Sequence, residues 1–343
     1  MRATAATAVR QDAAAHDAND APALFVWTNA LLGLGFTLGV MVDIWAHNNV
    51  RPLFETFFTA WHALLYAGFA VMAAFLAASA GRSRAAGAPP SRLLPPGYLL
   101  SGAGVLVFVL GGGFDMAWHL AFGIESGNDA LVSPSHLLLA LGGVLMVSGP
   151  LRAAATAAWA RVISMTATTL FLLPFLTIGA GPFGDLTAVR TRGDSQEVQM
   201  LGALAYTSLI VGVFLYALRR SPLPFGSVLA TAGGAGAIAA LIGTRELGVS
   251  RDLLLGLALA TALLGDVLLA VLRPGPARRG ATRAFAALLP IAILAPYLAG
   301  LWLRYGLTWT VHATVGTVVL AAGAGALLAA LALSEDGPAT LSE

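Results

Sequence analysis

Ten stretches of this 343-residue chain are apolar over about the length that crosses a bilayer, and only short connections separate them. A membrane-spanning helix needs about 20 apolar residues. By that rule the candidate spans are 22–45, 57–79, 97–121, 133–149, 162–181, 199–218, 226–244, 252–272, 284–304 and 309–333, the fourth being the shortest. The breaks carry turn chemistry, as in "RSRAAGAPPSRLLPPG", "RRSPLPFG" and "RPGPARRGATR". No strand-like alternation occurs, and no soluble domain fits between the spans. Only 10% of the residues are charged, against about 25% in a soluble domain, and mean hydropathy is +0.80. The expected fold is therefore all-α: a polytopic integral membrane protein of about ten transmembrane helices. Residues 1–21 read as a mobile tail without the apolar core of a cleavable signal peptide. Residues 22–149, residues 150–335 and a short tail at 336–343 complete the division.

Composition also excludes chemistry. There is no cysteine, which removes disulfides, cysteine-zinc sites, iron–sulfur clusters and thiolate catalysis. All 19 basic residues are arginine, and they are scattered between spans with a net charge of only +2, so nucleic acid is not an expected partner. Thirteen arginines fall in the N-terminal tail and in the loops after spans two, four, six and eight, against six on the other side. Positively charged loops stay inside. Both termini are thus expected in the cytoplasm, and the location is the cell inner (plasma) membrane, with the lipid bilayer as the first partner.

Charged and imidazole side chains recur at one edge of this apolar array. Span one ends in "VDIWAHNN", with Asp43 and His47, and span two begins with Thr59-x-x-His62. Span three ends in "FDMAWHLAFGIE", with Asp115 and His119, and span four begins with Ser133-x-x-His136. Glu55 and Glu125 lie in the two connections. Each core position recurs 72 to 74 residues later, which predicts a duplicated helix hairpin. Residues i and i+4 share a helix face, with Cβ atoms about 5–6 Å apart, so Asp43 with His47, and Asp115 with His119, can reach one cation. A hairpin brings His62 or His136 to the same point. Each half then offers one carboxylate and two imidazoles, a set that leaves coordination positions open for water, oxygen or substrate. Hairpins packed face to face would hold two metals among six ligands.

The bland alternative is that these residues are merely interfacial. An ionised aspartate inside hydrocarbon costs about 2.5–3.5 kcal/mol on insertion scales, and two such acids each one turn from a histidine argue for a role. His312, at the start of span ten, is a seventh candidate ligand, though alone it reads first as a packed histidine. Glu55 and Glu125 read first as solvated loop residues, and otherwise as hydrogen-bond partners of the ligands or catalytic proton carriers. Trp61 and Trp118 stand beside ligand histidines but fit an interfacial aromatic belt equally well. Met41 and Met116 flank the acids and read as packing, with a thioether near copper as the alternative. Ser133-Pro134 has the form of an N-cap followed by proline at the first helical position. Asp266 is the one acid well inside a C-terminal span, and its readings are a proton or ion path or a pairing with Arg273 or a backbone amide.

The Asp-x3-His pattern with a histidine on the next span resembles the metal site of the C subunit of the copper membrane monooxygenases, which oxidise methane and ammonia. The resemblance covers Asp43, His47 and His62, and again Asp115, His119 and His136, at most a third of the chain. The gap to the third ligand is longer here, the motif is doubled, and the partner subunits are other chains. It implies copper and oxygen chemistry. The sequence thus points to a membrane metalloenzyme whose metal faces outward, with copper favoured and iron or zinc as alternatives. The expected reaction is monooxygenase-like oxidation of a lipophilic or small apolar substrate, with partner membrane subunits a further expectation. Ion- or metal-coupled transport, metal-dependent hydrolysis and haem held between paired histidines are the competing readings.

Overall fold

The computed structural model describes residues 21–50, 59–123, 128–153, 157–177, 182–183, 196–242 and 250–334. Among these, every regular element is helical. Ten principal helices follow the ten apolar stretches: α1 (Ala23–Asn49), α2 (Ala60–Ala85), α3 (Leu99–Phe122), α4 (Pro134–Val147), α5 (Ala158–Thr177), α6 (Gln196–Leu218), α7 (Leu229–Ile242), α8 (Arg251–Leu272), α9 (Arg279–Tyr305) and α10 (Val311–Ala332). Eight are long and apolar enough to cross a membrane, whereas α4 and α7 are shorter. Of the ten expected spans, eight are met by helices of spanning length among the described residues, and two by shorter helices. For α4 the reason is local. Thr59 and Ser133 cap α2 and α4 with their hydroxyls. Pro134 then fixes the start of α4, and the helix breaks at Ser148 before a separate turn, Gly149–Arg152. At 1.5 Å per residue, the 14 residues of α4 reach about 21 Å, short of the roughly 30 Å hydrocarbon core.

The chain forms two compact units: residues 1–179 with 241–246, and residues 180–240 with 247–343. In the first, α1 pairs with α2, α3 pairs with α4, and α5 packs against α1 and α4. The repeat reaches well beyond the acids and histidines. Phe36, Gly39, Asp43 and His47 on α1 correspond, 72 residues on, to Phe108, Gly111, Asp115 and His119 on α3. Thr59, His62, Leu65, Gly68 and Met72 on α2 correspond, 74 residues on, to Ser133, His136, Leu139, Gly142 and Met146 on α4. The packing repeats as well. A methyl group on Gly68 would come 2.9 Å from Phe36 Cα, and one on Gly142 would come 2.6 Å from Phe108 N. Gly39 and Gly111 likewise face Leu65 and Leu139 at 3.3 and 3.1 Å. In both hairpins the helix backbones therefore nearly touch, as small residues permit between membrane helices.

Equivalent residues also meet each other. The rings of Phe36 and Phe108 pack edge to face with centroids 5.2 Å apart, and Met72 and Met146 are fully buried in the same core. A local two-fold relation between the hairpins follows. It is imperfect at one point. Phe69 stacks on Phe108 at 4.5 Å, but its counterpart is Gly143. There Phe171 of α5 fills the space over Gly143 and packs on Phe36 at 5.2 Å.

In the second unit, α9 packs with α8 and α10, α6 packs with α10, and α7 opens with a π-helical turn, Leu229–Gly233. Asp266 on α8 is fully buried and accepts the backbone N–H groups of Gly226, Val228 and Leu229 at 2.8–3.0 Å. These are orphan donors at the start of a helix, so of the readings open in the sequence the backbone-amide pairing is the one realised. Two measurements check these contacts. Gly142→Leu should destabilise the detergent-solubilised protein by about 1–3 kcal/mol through overpacking, while Gly35→Ala, which meets nothing within 4 Å, should be neutral or slightly stabilising by thermal unfolding. Asp266→Ala should lower the same midpoint strongly, since each bond to a charged acceptor is worth about 1.5–3 kcal/mol, with Asp266→Asn between the two.

Candidate metal centre

Helix direction explains why the acids and histidines gather. α1 and α3 end where α2 and α4 begin, so both hairpins present their histidines at one end of the first unit. Asp43, His47 and His62 form one group and Asp115, His119 and His136 another, with one donor atom from each residue lying within 4.8 Å of its partners. The six residues thus assemble as two separate triads, each made within its own hairpin. Asp43 and Asp115 are still within electrostatic reach of each other, and both act on the Tyr66 hydroxyl.

In the first triad, Asp43 Oδ1 lies 3.4 Å from His62 Nε2, and Asp43 Oδ2 lies 3.8 Å from His47 Nε2. The two Nε2 atoms are 3.4 Å apart. Three donors bound to one ion by bonds of about 2.0–2.1 Å, as for imidazole and carboxylate on zinc, would sit about 3.3–3.4 Å from one another in a tetrahedral arrangement. The two 3.4 Å spacings around His62 Nε2 fit that set, and the other carboxylate oxygen of Asp43 stands farther, at 3.8 Å, from His47 Nε2. Asp43 Oδ1 is buried and accepts no hydrogen bond among the described residues, an arrangement costly without a cation. The side chain of His47 is 45% exposed, which gives the triad its opening.

In the second triad, Asp115 Oδ2 lies 3.4 Å from His119 Nε2, and Asp115 Oδ1 lies 3.6 Å from His136 Nδ1. Here hydrogen bonds surround the donors. Ser135 donates to Asp115 Oδ1 at 2.9 Å. His119 Nδ1 is 3.3 Å from the carbonyl of Gly123, and in the tautomer where it donates there, Nε2 keeps its lone pair. Ser133 accepts the backbone N–H of His136 and lies 2.6 Å from its Nδ1. Its role as N-cap of α4 is the one its place before Pro134 suggests.

The remaining candidates fall elsewhere. Glu55 and Glu125 lie outside the described residues. His312 is exposed in the first turn of α10, in the second unit, and joins neither triad. Met41 is buried as packing and Met116 is exposed. Trp118 packs against Phe114 and Phe122 of its own helix, and the buried Trp61 Nε1 makes no hydrogen bond among the described residues. Two participants escaped the sequence reading. Ser135 stands one residue before His136 in the sequence, a hydroxyl beside a candidate ligand. Tyr66 lies one helical turn beyond His62, its hydroxyl 3.5 Å from where a methyl on Gly112 would stand, and only the three-dimensional pairing of α2 with α3 marks it.

In chelator-treated protein, Ser135→Ala should lower stability by about 1–3 kcal/mol, because it strips the hydrogen bond from a buried carboxylate oxygen; thermal unfolding reads this directly. No family model, no curated protein and no solved structure matches the chain, so its own geometry is what speaks for its function.

Proposed function

We propose that the protein is an integral membrane metalloenzyme whose Asp/His triads bind a transition metal, with oxidation of a lipophilic or small apolar substrate as its reaction. The observation that carries this reading is the first triad: a carboxylate and two imidazoles, one donor atom from each within 4.8 Å of the others, with His62 Nε2 3.4 Å from both Asp43 Oδ1 and His47 Nε2, and with that buried carboxylate oxygen accepting no hydrogen bond among the described residues. Two imidazoles and one carboxylate fill only part of a coordination sphere, which is the pattern of sites that admit oxygen or substrate. Copper is the favoured metal, on the resemblance of the motif to copper membrane monooxygenases, with iron and zinc as alternatives. When bound, such a metal supplies oxygen activation.

The chain's own residues do the rest. Asp43, His47 and His62 hold the ion at the end of the first hairpin, and Asp115, His119 and His136 form the corresponding set in the second. Glu55 and Glu125, in the connections beside them, are placed in the chain to carry protons. The exposed leucines and valines around the helices keep the site in contact with lipid, where an apolar substrate concentrates. By the arginine distribution, the site faces away from the cytoplasm and both termini lie inside, in the plasma membrane. Partner membrane subunits belong to the same reading.

The duplicated hairpins also suit a transporter, since parallel repeats related by an axis along the membrane normal occur in transport proteins. Metal analysis and spectroscopy on the purified full chain test the enzyme reading. Wild type should retain at least one copper or iron ion per chain, and His62→Ala combined with His136→Ala should lose it. Protein that holds only traces of metal after reconstitution sinks the proposal. Metal flux into vesicles without product formation would establish the transporter instead.

A further inference from the structure

The two triads have the same residues at matching helix positions, yet their donor atoms are committed differently. In the first hairpin, the imidazole nitrogen that faces the acid is His62 Nε2, 3.4 Å from both Asp43 Oδ1 and His47 Nε2. Thr59, the cap of that helix, accepts the backbone N–H of His62 at 3.2 Å. In the second hairpin the nitrogen facing the acid is His136 Nδ1, and Ser133, the residue equivalent to Thr59, sits 2.6 Å from that same nitrogen. Either tautomer gives one result. With a proton on Nδ1 the ring donates to Ser133 and has no lone pair there; without it, the lone pair accepts the Ser133 O–H. The acids differ in the same sense. Asp43 Oδ1 is buried and accepts no hydrogen bond among the described residues, whereas Asp115 Oδ1 is held by Ser135, at the position where the first hairpin has Trp61.

A cation entering the first triad therefore satisfies an oxygen that accepts no hydrogen bond among the described residues. A cation entering the second must displace a short hydrogen bond to gain its third ligand, although Asp115 Oδ2 and His119 Nε2 stand 3.4 Å apart as a ready pair.

We infer that the duplicated sites have diverged: the Asp43–His47–His62 triad is the primary transition-metal site, and the Ser133 hydroxyl latches His136 so that the second triad fills only at higher metal concentration. This rests on the metal-binding reading above and deepens it. Ser133 is a positioning residue in this scheme, acting through the ring of His136.

Titration of the metal-free full chain in detergent with copper(II) ions, followed by calorimetry and by copper analysis after gel filtration, tests the inference. Two steps should appear, separated by about tenfold or more, the scale on which groups around the ligands tune affinity. His62→Ala should remove the tighter step and His136→Ala the weaker one. Ser133→Gly deletes the hydroxyl but keeps an acceptable N-cap residue, and its gel-filtration profile should match wild type. It should tighten the weaker step severalfold and leave the tighter one in place. Two steps of equal affinity in wild type, or a weaker step that Ser133→Gly leaves unchanged or loosens, would overturn the divergence while leaving metal binding intact. A chain that binds no copper at either site would overturn the metal reading itself.

Discussion

Close approach of helix backbones within each hairpin is the constraint on which the rest depends. Gly68 against Phe36 and Gly142 against Phe108 let α1 meet α2, and α3 meet α4, at contact distance. Aspartate and histidine are short side chains. They span the gap between neighbouring helices only when those helices lie close, and at the ends of these two hairpins they do. Glycine packing in the apolar interior thereby sets the spacing of the acids and histidines at the end of each hairpin. Lipid offers no hydrophobic drive for helices to associate, so such interlocking surfaces and the hydrogen bonds beside them carry the association.

Much of this was legible in the sequence because each signal had a single physical cause. Apolar length marked all ten helices, and their order placed the acids and histidines at one end. The i, i+4 spacing on a helix and the 72–74 residue recurrence paired Asp43 with His47 and Asp115 with His119 before any coordinates. What failed to show were features that depend on which neighbour a side chain meets. The short α4 looks like a span by composition, but its cap and the break at Ser148 end it early. Asp266 read equally as a proton path or a partner for backbone amides, and only the start of α7 lying beside it decides. Phe171 offers no sequence hint that it stands in for the phenylalanine that Gly143 lacks.

The two triads illustrate how a repeat can keep its residues and change its chemistry. Threonine and serine are close relatives as helix caps, and both perform that task here. The difference lies in which face the following histidine turns toward the acid, Nε2 in one case and Nδ1 in the other. Ser135 in place of Trp61 gives Asp115 a donating hydroxyl that the equivalent position does not give Asp43. Such changes leave the fold alone, because they touch hydrogen bonds at the helix ends and not the glycine contacts beneath.

The edge-to-face contact between Phe36 and Phe108 carries a consequence for symmetry. A residue that touches its own counterpart is the hallmark of an isologous interface, where one surface is self-complementary. Two separate copies of a single hairpin would meet through this same aromatic pair, so the present chain holds, in covalent form, the contact of a homodimer. Joined in one chain, the two halves need not be identical, and they differ where Ser133 and Ser135 stand opposite Thr59 and Trp61.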